Sequence, residues 1–390
     1  MNEATGQPLA LDDVLERVDR VAREVVAPNA VRVDTEGLWP EEALRALRDA
    51  GLGGLVVAAD QGGAGQGLLA LSQVCERLGR ECASTALCYG MHSVGAAVIA
   101  AKATPDQEER YLGPIVAGEH LTTLALSEPG SGSHFYFPQV RLEEIDGDAY
   151  SVDGEKAFVT NGAHADSYVL STAVPGAPPG EFSCVILDAG APGLEWGPQW
   201  RGFGMRGNSS RGLTLRGALV PRANLLGRHG DELWYVFNVI APYFLTAMAG
   251  TYLGVAQAGF DEARSHLQRR TYSATGRAPA NEAVVQHRLG ALWGRIEAAR
   301  RLAYHAAAVG DTGRPEALPA ILSSKAEVAR AAIHAINEAM TLTGGIAYGE
   351  NSKLQRHLRD ARAADVMAPT TDVLLTWTGR VLLDLPLLAE

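Results

Sequence analysis

No stretch of this 390-residue chain is strongly basic, and its formal charge is −11, from 34 Lys and Arg against 45 Asp and Glu. That balance argues against nucleic acid or an anionic membrane surface as the main partner. Cysteine is scarce. Cys75, Cys82, Cys88 and Cys184 fall at uneven spacings, with no CxxC pair and no histidine placed to complete a zinc site. They are expected as buried thiols in a reducing compartment, and no metal site is expected. The first twelve residues are polar and acidic, without the charged-then-apolar pattern of an export signal, and no apolar run reads as a membrane span. A cytoplasmic location is the expectation. Fixed-period repeats and low-complexity tails are absent too. What is present is a globular composition, 47% hydrophobic and 20% charged, over a length that suits two or three domains.

The texture of the chain changes twice. Up to about Gly118 apolar residues recur at three-and-four spacing, in Val14–Val21, Ala43–Leu52 and Leu68–Leu78, which predicts amphipathic helices. From Leu121 to about Leu226 the runs are short and β-branched or alternating: Ala149–Val152, Ala157–Thr160, Ser167–Thr172, Phe182–Leu187 and Gly212–Leu219. Gly-, Pro- and Asp-rich turns separate them, so a compact antiparallel barrel or sandwich is expected. Long helical patterns then return in Leu233–Arg269, Glu282–Val309 and Leu318–Leu342, rich in Ala and Arg as closely packed helices are. The reading is α+β, mainly α, with a helical domain over 1–119, a β domain over 120–231 and a helical bundle over 232–390.

Three stretches stand out chemically. Ala125-Leu126-Ser127-Glu128-Pro129-Gly130-Ser131-Gly132-Ser133 closes a strand and turns through two glycines, offering backbone N–H groups and hydroxyls to a polar ligand edge. By itself such a turn is more often a plain loop. Phe158-Val159-Thr160-Asn161-Gly162 leads an aromatic and a hydroxyl into an Asn-Gly turn, the alternative being a hairpin with a core Phe. Thr343-Gly344-Gly345-Ile346-Ala347 precedes Leu358-Arg359-Asp360-Ala361-Arg362, a charged segment that otherwise reads as a solvated helix turn.

In this order and at these distances, the stretches resemble the acyl-CoA dehydrogenase family across essentially the whole chain. Gly51-Leu52-Gly53-Gly54-Leu55, Gly62-Gly63-Ala64-Gly65 and Arg269-Arg270-Thr271-Tyr272 fit the same pattern. The resemblance implies an N-terminal helical domain, a middle β-barrel domain and a C-terminal four-helix bundle, with FAD between the last two and a neighbouring subunit. It implies that Leu126 and Ser127 meet the pyrimidine end of the flavin, that Phe158 covers its face, and that Thr160 bonds near N5. Ser133 would touch the thioester arm. Arg269, Thr271, Tyr272, Gln286 and Thr341 would reach the partner subunit's FAD, Gly344 and Gly345 would admit its pyrophosphate, and Thr370 and Asp372 would complete the site. A site shared between subunits implies a homodimer or homotetramer.

The customary catalytic glutamate is missing from the pattern. Counted from Arg359-Asp360-Ala361, its place is taken by Ala368 in Met367-Ala368-Pro369-Thr370. The alternate address in the first long bundle helix holds Phe244, followed by Leu245 where an arginine is usual. His134 replaces an aspartate, Thr341 replaces a glutamine, and the loop from Tyr272 to Gln286 is longer than usual. Pro369 lacks an N–H and is suited to open the final helix, whereas Ala368 keeps its N–H for the thioester carbonyl. His134 is the first substitute base to consider, then Asp372, Tyr243 and Tyr252. The leading expectation is an FAD-dependent oxidoreductase acting on a CoA or carrier-protein thioester with an unconventional base or none, its electron acceptor unidentified. A flavin monooxygenase and a non-catalytic FAD-holding subunit on the same scaffold are the alternatives.

Overall fold

The computed structural model describes residues 7–388 except Ser133, Asp146 and Pro179. Helices come first: α1 (Leu11–Val21), α2 (Ala27–Thr35), α3 (Glu41–Asp49), α4 (Leu68–Glu81), α5 (Ala83–Ala101) and the short α6 (Pro105–Gln107) and α7 (Gly113–Ala117). The strands β1 (Thr122–Ala125), β2 (Arg141–Ile145), β3 (Ala149–Val159), β4 (Ser167–Ala173), β5 (Phe182–Asp188), β6 (Leu194–Trp196), β7 (Arg211–Pro221) and β8 (Leu225–Leu226) follow. The chain ends in α8 (Glu232–Tyr235), α9 (Ala241–Arg269), α10 (Ala283–Gly310), α11 (Ala317–Thr343), α12 (Lys353–Val366) and α13 (Thr371–Leu382).

Periodicity explains most of these elements. Val14, Val18 and Val21 form the buried stripe of α1, and Ala43, Leu44 and Leu47 that of α3. Helix α5 has no stripe, because every residue from Ala83 to Ile99 is buried. A helix enclosed on all sides needs no polar face, so periodicity cannot reveal it. Two stretches, Ala83–Ala101 and Glu232–Arg269, do reach the length and mean hydropathy of a membrane span, contrary to expectation, but 94% and 83% of their apolar windows are buried inside the protein.

The eight strands form one sheet in the order β6-β7-β3-β2-β4-β5-β8, with β1 added beside β4. The sheet is mixed, since β1 and β2 both pair parallel with β4. The two expected runs at Ala149–Val152 and Ala157–Thr160 join in the single strand β3, whose register shifts between Val152 and Gly154 and again between Lys156 and Val159.

Helix α9 is the spine of the molecule and lies directly on α4. A methyl group added to Gly250 would sit 2.1 Å from the Ser72 carbonyl oxygen, and one on Gly254 would sit 2.2 Å from that of Glu76. On the facing helix, a methyl on Gly79 would meet the Thr251 carbonyl at 2.3 Å. The two backbones therefore touch where only glycine fits. A second tie joins the same regions: Asp311, just after α10, accepts the Leu68 N–H at 2.6 Å and the Leu69 N–H at 3.1 Å, serving the first turn of α4 from the far end of the sequence.

Candidate active site

The loop leaving β1 is shaped by one buried lysine. Lys156 of β3, its side chain fully buried, donates to the carbonyls of Leu126 at 3.2 Å and Ser171 at 2.6 Å and to Glu128 Oε1 at 2.7 Å. Glu128 also accepts the N–H groups of Gln139 at 2.8 Å and Val140 at 3.2 Å, while Ser131 Oγ donates to the Glu128 carbonyl. Burial holds the Lys156 amine below its ordinary range against the opposing pull of Glu128. The half-buried Leu126 and Ser127 are left with N–H groups that have no backbone partner among the described residues.

Phe158 lies beside them, because the Ala157 N–H donates to the Ser127 carbonyl at 2.7 Å. It is not a core residue. Its φ is +54° and it is 67% exposed, with Trp200 edge-on at 6.1 Å. An aromatic residue kept in the left-handed region costs about 1–3 kcal/mol and is uncommon away from functional sites. Thr160 is buried, with Oγ1 3.2 Å from Ser210 Oγ and its carbonyl accepting Thr123 Oγ1 at 3.0 Å. Asn161 anchors the turn by donating to the Cys88 carbonyl of α5 and accepting the Trp39 indole N–H, each at 2.9 Å.

The Arg359-Asp360-Ala361 segment is no solvated helix turn. Arg359 grips both carboxylate oxygens of Asp34 on α2 and donates to the Phe203 carbonyl at 3.1 Å. Asp360 accepts the Met205 N–H at 2.7 Å, and burial raises its carboxyl to about 6. Both residues tie α12 to the turn next to Trp200.

A second group gathers at one end of the bundle. Arg269 is exposed at the end of α9 and Thr271 and Tyr272 just after it, and Gln286 is exposed on α10 with its amide donating to the Ala280 carbonyl at 2.9 Å. Thr341 is exposed on α11 and donates to the Asn337 carbonyl, and Gly344 (φ +74°) and Gly345 face open space. Ala263, Ala339, Ala347 and Leu354 join these segments from beneath. Among the described residues no hydrogen bond links this group to Leu126–Thr160, so one protomer carries two separate sets.

Between α12 and α13 runs the segment that holds Ala368. Lys325 of α11 is fully buried, and its ammonium donates to the carbonyls of Ala364 at 2.8 Å, Met367 at 3.3 Å and Pro369 at 3.0 Å. Ala368 is half-buried, and its bond to Pro369 is cis. Helix α13 does not open on Pro369. It opens at Thr371 with Thr370 as its cap residue, because Lys325 holds the Pro369 carbonyl in the preceding turn. Thr371 Oγ1 donates to Asp365 at 2.9 Å, and Asp372 is exposed.

Profiles described as the N-terminal, middle and C-terminal domains of acyl-CoA dehydrogenase match residues 10–119, 123–218 and 245–383. The chain belongs to the acyl-CoA dehydrogenase family. It is 32% identical to a cyclohex-1-ene-1-carbonyl-CoA dehydrogenase of Geobacter metallireducens over 95% of this chain and 97% of that one. It is 28% identical to a bovine (Bos taurus) mitochondrial isobutyryl-CoA dehydrogenase, covering 93% and 86%. The solved butyryl-CoA dehydrogenase of Megasphaera elsdenii superposes with a TM-score of 0.90 at 26% identity, over 96% of this chain and 98% of that one.

Members of the acyl-CoA dehydrogenase family are FAD-dependent oxidoreductases, and this chain offers the group a suitable cradle. Unpaired amides at Leu126 and Ser127 suit the polar rim of a flavin, and an exposed, strained Phe158 suits its flat face. Ala368 has no titratable group, Phe244 is half-buried and Leu245 fully buried. Of the substitutes, His134 and Asp372 are exposed. Tyr252 is fully buried with an unpartnered hydroxyl, and burial pushes its phenol further above neutrality, as it does for Tyr243. Ser133 lies outside the described residues.

Proposed function

We propose that this protein is an FAD-dependent oxidoreductase acting on an acyl thioester, in which neither customary base address carries a titratable side chain. What supports this reading is a contrast: the Leu126 and Ser127 amides have no backbone partner among the described residues and Phe158 beside them is exposed, while Ala368, just beyond α12, carries no titratable group. Bound FAD would supply the hydride acceptor. Leu126 and Ser127 would bond its pyrimidine end, Phe158 would cover its face, and Thr160 would meet the central ring. Arg269, Thr271, Tyr272, Gln286, Thr341, Gly344 and Gly345 would hold the partner subunit's FAD, with Thr370 and Asp372 nearby. Exposure of Val284, Trp293, Ile346 and Tyr348 on the bundle supports that homo-oligomer. The relatives named above act on CoA thioesters, so CoA is the first carrier to test.

The Ala368 N–H would draw charge onto the thioester carbonyl and so acidify the α-proton, which is the part of the chemistry that survives without a carboxylate. Absence of a positioned base forfeits about 10²–10⁴ in rate. The test is anaerobic mixing of the purified flavoprotein with butyryl-, octanoyl- and cyclohexanecarbonyl-CoA, following flavin absorbance in wild type and Ala368→Glu. Slow bleaching in wild type and a rise of at least tenfold in the variant are expected. Flavin that stays oxidised with every thioester in both proteins, yet consumes oxygen with a reductase, would instead support a monooxygenase.

A further inference from the structure

We infer that Lys325 is the positioning residue that aims the Ala368 N–H at the thioester carbonyl; this rests on the acyl-thioester reading above. An ammonium has three protons and no acceptor. Lys325 places all three on carbonyls, those of Ala364, Met367 and Pro369. Capping the C-terminus of α12 accounts for Ala364, in its last turn, and for its C-cap residue Met367, but not for Pro369, which lies beyond the helix. The Met367 and Pro369 carbonyls flank Ala368 on either side, so a single buried charge fixes both neighbours of the residue at the base address.

The consequence follows from peptide geometry. The Met367–Ala368 peptide is trans, and in a planar trans peptide the C=O and the following N–H point in opposite directions. Because the Met367 carbonyl is turned inward onto Lys325, the Ala368 N–H is turned outward, away from the core of α11. It has no backbone partner among the described residues, and Ala368 itself is half-buried. A lone donor with a fixed direction is what a polarised carbonyl requires. Lys325 acts only through the backbone on either side of Ala368. Burial lowers its amine to about 8, with Asp365 opposing, and the three carbonyl acceptors use every proton of the ammonium.

The test compares ligands that differ only in the carbonyl oxygen. Dissociation constants for butyryl-CoA and octanoyl-CoA, and for the thioethers S-butyl-CoA and S-octyl-CoA, are measured by calorimetry on the FAD-loaded wild type and Lys325→Met. Wild type is expected to prefer each thioester over its thioether. K325M is expected to lose about tenfold in thioester affinity, the worth of one aligned hydrogen bond, and nothing in thioether affinity. Equal losses for both ligand types would mean a merely structural lysine and overturn the proposal, as would no loss in either. Where K325M fails to accumulate as a folded flavoprotein, K325Q, whose amide keeps two donors, replaces it with the same expectation at smaller size. Equal wild-type affinity for thioester and thioether overturns the inference without any variant. Wild type binding neither ligand would remove the acyl-thioester reading itself.

Discussion

Replacing Lys156 by methionine tests how the loop after β1 is held. The side chain fills similar space, so the perturbation is the loss of charge and of donors to Leu126, Glu128 and Ser171. At 2.7 Å and an effective dielectric of about 20, attraction to Glu128 is roughly 6 kcal/mol, most of it offset by the cost of dehydrating both charges. The decisive quantity is what remains afterwards: a carboxylate almost without solvent, held only by the Gln139 and Val140 amides. Removing one partner of such a pair costs about 3–5 kcal/mol. For a chain of this length that is a fall in Tm of roughly 4–6 °C. Differential scanning calorimetry of K156M, E128L and the double variant K156M/E128L checks it. The double variant should regain most of the loss, because two apolar groups in place of a buried pair are close to neutral. A K156M protein as stable as wild type would refute the reasoning, and so would a double variant whose loss equals the sum of the singles.

Three other outcomes are expected. Glu232 is fully buried with both oxygens unpartnered among the described residues, and burial, against the opposing pull of Lys156, raises its carboxyl to about 8. The unfolded chain releases this proton near 4.5, so the stability that the neutral acid contributes is lost as pH rises from there through 8. Glu232→Gln should therefore surpass wild type in Tm by a margin that widens from pH 5.5 to 8 and then levels; a margin independent of pH would contradict this. Gly254→Ala forces a methyl onto the Glu76 carbonyl and the Arg80 amide and should cost about 1–3 kcal/mol, read as a lowered urea midpoint. Arg359→Lys keeps the charge but loses the two-pronged grip on Asp34, and should lower stability by about 1.5–3 kcal/mol in the same assay.

The parts of this molecule legible in its sequence are those that repeat or punctuate. The valine stripe of α1, the long patterns of α9, α10 and α11, and the short strands all announce themselves through spacing. Helix α5 does not, because total enclosure removes the polar face that periodicity needs. The parallel pairings of β4 were equally hidden, since pairing partners far apart in the chain leave no local trace. Around the site, Gly130 and Gly132 mark the turn after β1, and Asn161-Gly162 marks the one after Phe158. Lys156, Glu128 and Lys325 carry no such mark. The worth of the two lysines lies in carbonyls, and that of Glu128 in Lys156 and the Gln139 and Val140 amides, all of which only the fold assembles.

The contact of α4 with α9 has a bearing on how the chain reaches its final state. The glycines that meet there, Gly79 on one side and Gly250 and Gly254 on the other, are separated by about 170 residues, and Asp311 ties down the start of α4 from still farther along. A ribosome that has just released the first hundred residues has made α4 without its partner and α5 without its covering. Such a nascent chain exposes apolar surface until the last third is synthesised, and pairings this distant close slowly. The first 119 residues are thus expected to aggregate when produced alone, and to become soluble when the segment carrying α9 to α11 is supplied in the same cell.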